Sequence, residues 1–225
     1  MNDKVIIALD VENKSQALAL VDQLTPPIDF YKIGLEFYLS EGNGFIKELK
    51  ERNLKVFLDL KLHDIPNTVS NAVRAIAKLK PDMITVHTLG GEKMLQAAVD
   101  AARNANPEIK VLGVTVLTSL DEAAVSQIGF EGNIKDLVFN LAKLAYVSGC
   151  DGVVCSGYDL PILRKQFSAP FLMVTPGIRL SDDKALDQRR IATPSMAIEQ
   201  GADYLVVGRS ITTAKQPSAA LKQLF

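Results

Sequence analysis

Val56-Phe57-Leu58-Asp59-Leu60-Lys61-Leu62-His63-Asp64 begins as a buried strand and ends in charge. Val56-Phe57-Leu58 is a continuous apolar run of the kind that parallel sheets bury on both faces. Residues two apart on a strand share a face, so Asp59 and Lys61 project together. Asp64 follows just past the strand end, where Pro66 opens a helical pattern. Three charged groups thus gather at the carboxyl end of one apolar strand. Burying charge is costly unless it is paired, and ordinary strands avoid it. Two readings suit the cluster. One is a structural Asp–Lys ion pair with Asp64 near a helix start. The other is a catalytic centre, because charged groups with perturbed environments concentrate at functional sites.

The surrounding chain decides what kind of strand this is. Eight apolar, β-branched runs can be picked out: Val5–Asp10, Phe30–Glu36, Val56–Lys61, Met83–Thr88, Val111–Thr118, Gly152–Ser156, Phe171–Thr175 and Tyr204–Gly208. The first five begin about 25 to 28 residues apart, the length of one βα unit. Helical patterns lie between them. After Pro66, apolar residues fall at Val69, Ala72, Val73, Ile76 and Leu79, a period near 3.6. Leu137, Leu141, Leu144 and Ala145 repeat the pattern, and Ser15–Val21 and Glu92–Val99 also read as helices. Thr193-Pro194 reads as an N-cap with proline at the first helical position. Strands alternating with helices predict an α/β fold, a (β/α)8 TIM barrel forming a single domain over residues 1–225. An open doubly wound sheet stays as the alternative, because periodicity does not show closure.

The bulk composition narrows the partners. The chain has 225 residues, 48% of them hydrophobic, and a net charge of -1, enough for one sizeable core. A charge near zero offers no footprint for nucleic acid or an anionic membrane. No apolar run approaches the ~20 residues needed to span a bilayer. Met1-Asn2-Asp3-Lys4 leads straight into a strand-like run, so the reading is a cytoplasmic protein without a signal peptide. Cys150 and Cys155 lack zinc-type spacing and read as reduced core thiols.

A barrel of this kind carries its active site at the carboxyl ends of its strands. Taken in order, those ends supply Asp10; Lys32; Asp59 and Lys61 with Asp64 beyond; His87; Leu117-Thr118-Ser119; Val174 to Arg179; and Val207 to Ser210. Polar groups therefore collect at one end of an otherwise apolar barrel. Gly177 and Gly208 let backbone approach a ligand, and Arg179 and Arg209 supply charged forks suited to phosphate oxygens. Either arginine alone would suit a solvated surface. Two glycine-containing turns, each followed by arginine at the ends of strands 7 and 8, point to phosphate, which barrels often bind there. The polar stretch from Leu180 to Ala192 suits a mobile loop over that phosphate or a solvated surface, and within it Gln188-Arg189-Arg190 offers donors. His63 and His87 lack companions at ligand spacing and read as hydrogen-bonded supports, so no metal site is expected. No dinucleotide fingerprint occurs, and Gly34, a lone glycine on strand 2, carries little weight.

Taken together these residues resemble the orotidine 5'-phosphate decarboxylase family over nearly the whole chain. The most specific element is Asp59-Leu60-Lys61-Leu62-His63-Asp64-Ile65-Pro66-Asn67-Thr68. Ala8-Leu9-Asp10, Tyr31-Lys32-Ile33-Gly34, Val116-Leu117-Thr118-Ser119, Asp151-Gly152-Val153-Val154-Cys155-Ser156, Thr175-Pro176-Gly177-Ile178-Arg179, Asp187-Gln188-Arg189-Arg190 and Val207-Gly208-Arg209 support it. The resemblance implies removal of the carboxylate from C6 of orotidine monophosphate to give UMP, with no metal and no organic cofactor. It implies Lys61 as proton donor to C6, within an alternating network of Lys32, Asp59, Lys61 and Asp64. It also implies a homodimer with a shared site, Asp64 and Thr68 reaching in from the second subunit. Asp10 and Lys32 would hold ribose hydroxyls, and Thr118 and Ser119 would meet the pyrimidine. Arg179, Gln188, Arg209 and the Gly208 backbone would grip the phosphate. Two rivals remain: a metal-dependent phosphosugar decarboxylase or aldolase with the same Asp-x-Lys-x-x-Asp spacing, and a phosphate-ligand binding protein without catalysis.

Overall fold

Each apolar run forms a strand followed by helix in the computed structural model, which describes residues 2–179 and 192–224. The first half runs β1 (Val5–Ala8), α1 (Lys14–Leu24), β2 (Phe30–Gly34), α2 (Leu35–Glu51), β3 (Lys55–Leu62), α3 (Pro66–Ala77), β4 (Met83–His87) and α4 (Glu92–Ala105). The second half opens with β5 (Lys110–Val114), the short α5 (Glu122–Gln127) and α6 (Ile134–Val147). It continues with β6 (Gly152–Val154), α7 (Leu160–Gln166), β7 (Leu172–Thr175), α8 (Pro194–Glu199), β8 (Tyr204–Val207), α9 (Arg209–Thr212) and α10 (Pro217–Lys222). Among the described residues the eight strands pair in parallel in chain order. β8 returns to β1, with Val5 opposite Leu205 and Ile7 opposite Val207, which excludes the open sheet.

The period of two sorts the strands into two apolar layers. Val5, Ile7, Val111, Leu205 and Val207 face outward into the large core shared with the helices. Ile6, Ala8, Phe30, Phe57, Met83, Leu112, Val174 and Val206 face inward and fill the lumen. One step of the same alternation beyond that inner layer come Asp10, Lys32, Asp59 and Thr85. The layer that closes the barrel's interior thus also supports the charged layer above it.

Helix starts follow their signals. Thr193 Oγ1 accepts from Met196 N–H at 3.3 Å, as the Thr193-Pro194 reading expects. Asn13, Asp121 and Asn133 cap α1, α5 and α6 in the same way. Cys150 and Cys155 are free and buried. Burial pushes the Cys150 thiol up to about 12, so it packs as an apolar group.

The amino end of the barrel carries a repeated device. Asp82, Asp151 and Asp203 each stand immediately before an even strand. Each carboxylate accepts the N–H of the second residue of the preceding odd strand: Val56 at 2.8 Å, Val111 at 2.8 Å and Met173 at 2.7 Å. Each also pairs with a cation from the helix before that strand: Lys50, Arg103 and Arg164 respectively. Asp29, in the equivalent place before β2, pairs with the Lys55 ammonium at 3.0 Å instead. These acids close the ends of the ladders where no strand residue remains to do so.

Several strands end earlier than their apolar runs. β5 stops at Val114, so Leu117-Thr118-Ser119 lies in the loop after it rather than at the strand end. The run continues because Val116 and Leu117 are apolar for another reason: they line the cavity above the barrel.

Candidate active site

At the carboxyl end of the strands lies a cavity of about 480 Å³, within the usual range for small-molecule sites. Asp10, Lys32, Asp59, Lys61, Thr118, Arg179, Gly208 and Arg209 line it. The charges form an alternating chain. The Lys32 ammonium donates to Asp10 Oδ1 at 3.0 Å and lies 3.7 Å from Asp59 Oδ2. The Lys61 ammonium donates to both Asp59 oxygens at 3.0 Å. Lys32 is 8% exposed, so its charge depends on the two carboxylates that flank it. Gly34 holds the space for this pairing: a β-carbon there would sit 2.7 Å from Asp10 Oδ1 and 3.0 Å from Lys32 Nζ. The glycine given little weight in the sequence therefore has a steric role at the site.

Asp59 and Lys61 meet, yet not through a regular pleat. β3 pairs Leu58 with Ile84 and then Leu62 with Val86, four steps on one strand against two on the other. The bulge places Lys61 at φ +51, an uncommon backbone region for a residue other than glycine. Thr85 stands opposite, 1% exposed, donating to Asp59 Oδ1 at 3.0 Å. Its presence at the site was missed in the sequence; the signal was a lone hydroxyl in the apolar run Met83–His87.

After β7, Arg179 is buried and Gly177 turns at φ +76, and both line the same cavity. Arg179 N–H donates to the Ala192 carbonyl, and Ala192 N–H donates to that of Gly177, so this turn is tied across residues 180–191. Gln188 and the polar stretch around it lie outside the described residues. Glu36, Cys155, Pro176 and Thr212 also line the cavity and had drawn no attention as site residues.

Asp64, Thr68 and Ser119 do not line the cavity of a single chain; all three are exposed. Asp64 Oδ1 accepts the N–H of Ile65 at 2.6 Å, and Ile65 itself is 66% exposed. The two histidines depart from the expectation of hydrogen-bonded supports. They stack with ring centroids 5.4 Å apart, and among the described residues His87 Nδ1 is buried without a partner. Burial, with repulsion from His63 and Lys61 added, holds the His87 imidazole below its usual 6.5. Among the described residues no group of three or more His, Cys, Asp or Glu side chains is placed to hold a metal ion.

A closed barrel in which the same cavity is lined by paired ammonium and carboxylate groups and by two arginines defines a (β/α)8-barrel enzyme site. The chain belongs to the orotidine 5'-phosphate decarboxylase / HUMPS family, whose model matches residues 3–224. It is 45% identical over 225 residues to orotidine 5'-phosphate decarboxylase of Actinobacillus succinogenes, covering 100% of this chain and 97% of that one. It is 46% identical over 221 residues to the enzyme of that name from Nitrosococcus oceani, covering 98% and 95%. The crystal structure of orotidine 5'-phosphate decarboxylase from Lactobacillus acidophilus superposes with a TM-score of 0.87 at 40% identity, over 99% of this chain and 97% of that one.

Proposed function

We propose that residues 1–225 form one catalytic domain that decarboxylates orotidine 5'-monophosphate to UMP, without metal or organic cofactor. The observation that carries the reading is the unbroken charge chain Asp10–Lys32–Asp59–Lys61 on one wall of a cavity that also holds Arg179 and Arg209. Loss of CO2 from C6 leaves a carbanion in the ring plane, with no adjacent carbonyl to accept the electrons. An ammonium beside that carbon stabilises the charge and then delivers a proton. Lys61 is the group that does both. Asp59, held by Lys32, Lys61 and Thr85, keeps the ammonium aimed while charge develops, so no dipole need reorganise during the reaction. A unit charge pair at 4 Å is worth about 4 kcal/mol at an effective dielectric near 20, enough to matter to the barrier.

Asp10 and Lys32 hold the ribose hydroxyls, and Thr118 and Ser119 face the pyrimidine. Arg179, Gln188, Arg209 and the Gly208 backbone take the phosphate. The active form is a cytoplasmic homodimer with a shared site, each cavity completed by Asp64 and Thr68 from the second subunit. The exposure of Asp64 and Thr68, together with that of Ile65 between them in sequence, supports that arrangement. Free buried thiols suit a reducing compartment. Nucleic acid and membrane are not partners: the net charge is -1, and no described helix is long and apolar enough to cross a bilayer.

The test is loss of pyrimidine absorbance from orotidine monophosphate after exhaustive chelation. Full activity is expected. Activity that vanishes with chelator and returns with Mg²⁺, or tight nucleotide binding without turnover, would overturn the reading.

A further inference from the structure

The bulge in β3 is met by a side chain rather than by the backbone of the neighbouring strand. Between Leu58 and Leu62 the ladder to β4 is interrupted, and backbone groups there need other acceptors. Lys61 N–H donates to Thr85 Oγ1 at 2.8 Å. An amide N–H can only donate, so the hydroxyl must accept there and has its own proton to give. It gives it to Asp59 Oδ1, at 3.0 Å. Asp59 in turn receives the Lys61 ammonium on both oxygens at 3.0 Å. The bonds form a ring: Lys61 backbone, Thr85 hydroxyl, Asp59 carboxylate, Lys61 ammonium. One hydroxyl therefore fixes both ends of the same lysine, its main chain directly and its ammonium through Asp59.

We propose that Thr85 is a positioning residue for the decarboxylation, setting where the Lys61 ammonium stands relative to C6. The proposal rests on Lys61 being the proton donor. Thr85 does not line the cavity and acts only through Asp59 and Lys61. The methyl group is not what matters; the hydroxyl is, because it alone can accept from Lys61 N–H and donate to Asp59. Misplacement of a reacting group by about 1 Å is enough to cost orders of magnitude in rate.

Thr85→Val keeps the shape and removes both bonds, and Thr85→Ser keeps both bonds and removes the methyl. For Thr85→Val, kcat should fall about tenfold or more while the Kd for UMP stays within about threefold, since the product presents no charge at C6. Thr85→Ser should stay within about threefold of wild-type kcat. A residue that merely stabilised the fold would lower the melting temperature and leave kcat per folded molecule unchanged. Hydrogen exchange gives a readout independent of activity: the Lys61 amide should be protected in the wild type and exchange about tenfold faster in Thr85→Val, with Phe57 unchanged. A folded Thr85→Val with wild-type kcat, or a Thr85→Ser as impaired as Thr85→Val, overturns the proposal. If Thr85→Val does not fold, Thr85→Ser and the wild-type Lys61 amide decide, and an unprotected amide overturns it. If the wild type fails to decarboxylate orotidine monophosphate, the functional reading has failed, and amide exchange still judges the ring.

Discussion

Replacing Lys61 with alanine removes the ammonium from the cavity wall and should abolish turnover while leaving product binding measurable. The magnitude follows from the charge that the reaction creates. An ammonium about 4 Å from the developing carbanion contributes about 4 kcal/mol at an effective dielectric near 20. At about 1.4 kcal/mol per decade, kcat should fall by about three orders of magnitude. The fold should survive, because Asp59 is not orphaned: it keeps Lys32 at 3.7 Å and the Thr85 hydroxyl at 3.0 Å. UMP carries no charge at C6, so its affinity should change far less than kcat. The assay pairs absorbance loss under saturating substrate with a UMP titration of the same preparation. Retention of more than about a tenth of kcat, under about 1.4 kcal/mol of barrier change, would remove Lys61 as proton donor. Lys61→Gly is the companion. Because position 61 sits at φ +51, glycine should be about 1 kcal/mol more stable there than alanine and equally inactive.

Arg209→Ala should weaken the phosphate-bearing nucleotide far more than the nucleoside, and equal losses in kcat/KM for both would take Arg209 out of the phosphate site. Lys61→Ala and Asp64→Ala homodimers should each be nearly inactive. Unfolded and refolded together they should recover roughly a quarter of all sites, because one pocket of each heterodimer carries neither defect. Verified heterodimers without activity would put both residues in one chain's pocket. His87 titrates below its usual 6.5 in the fold, so the unfolded chain binds the proton first as pH drops. Stability should therefore fall as pH goes down from 6.5 towards the depressed value, by up to about 1.4 kcal/mol per pH unit, and His87→Gln should remove that slope. Urea midpoints that run parallel for the two proteins as pH falls below about 6.5 would contradict it. Asp151→Ala leaves the buried Val111 N–H without its carboxylate, which should cost about 2 kcal/mol, or roughly 5 °C in a thermal melt, with kcat unchanged.

The strands were legible because burial on both faces leaves continuous β-branched runs, and all eight appear where those runs begin or within one residue of it. Their carboxyl ends were less legible. Val116 and Leu117 are as apolar as the strand before them, and sequence does not separate a residue packed in a lumen from one lining a cavity. Lys32, Asp59 and Lys61 could be found because charge in an apolar strand needs a reason. The route by which Asp59 and Lys61 meet could not: it runs through a bulge whose Lys61 N–H is taken by a hydroxyl on β4, and nothing in the β3 sequence encodes Thr85. Gly34 looked uninformative because its role is to leave space beside Asp10, a residue 24 positions away. Asp64 and Thr68 were placed by family resemblance, and within one chain they stand outside the cavity. The aspartates before the even strands were readable in principle, as the same residue recurring ahead of alternate apolar runs, but the N–H groups that Asp82, Asp151 and Asp203 accept from belong to the main chain and leave no trace in sequence.

Those aspartates have a consequence for how such a chain can drift. Asp82, Asp151 and Asp203 recognise N–H groups, and every residue except proline presents one. Positions 56, 111 and 173 can therefore exchange one strand-forming side chain for another without loosening the end of the barrel. The acids stand at the opposite end of the strands from Lys61 and the arginines, and substitutions at well-separated sites add with little interaction. The two ends can then accumulate change on separate clocks. The carboxyl end answers to the shape of a substrate, while the amino end answers only to the spacing of a backbone that no substrate touches.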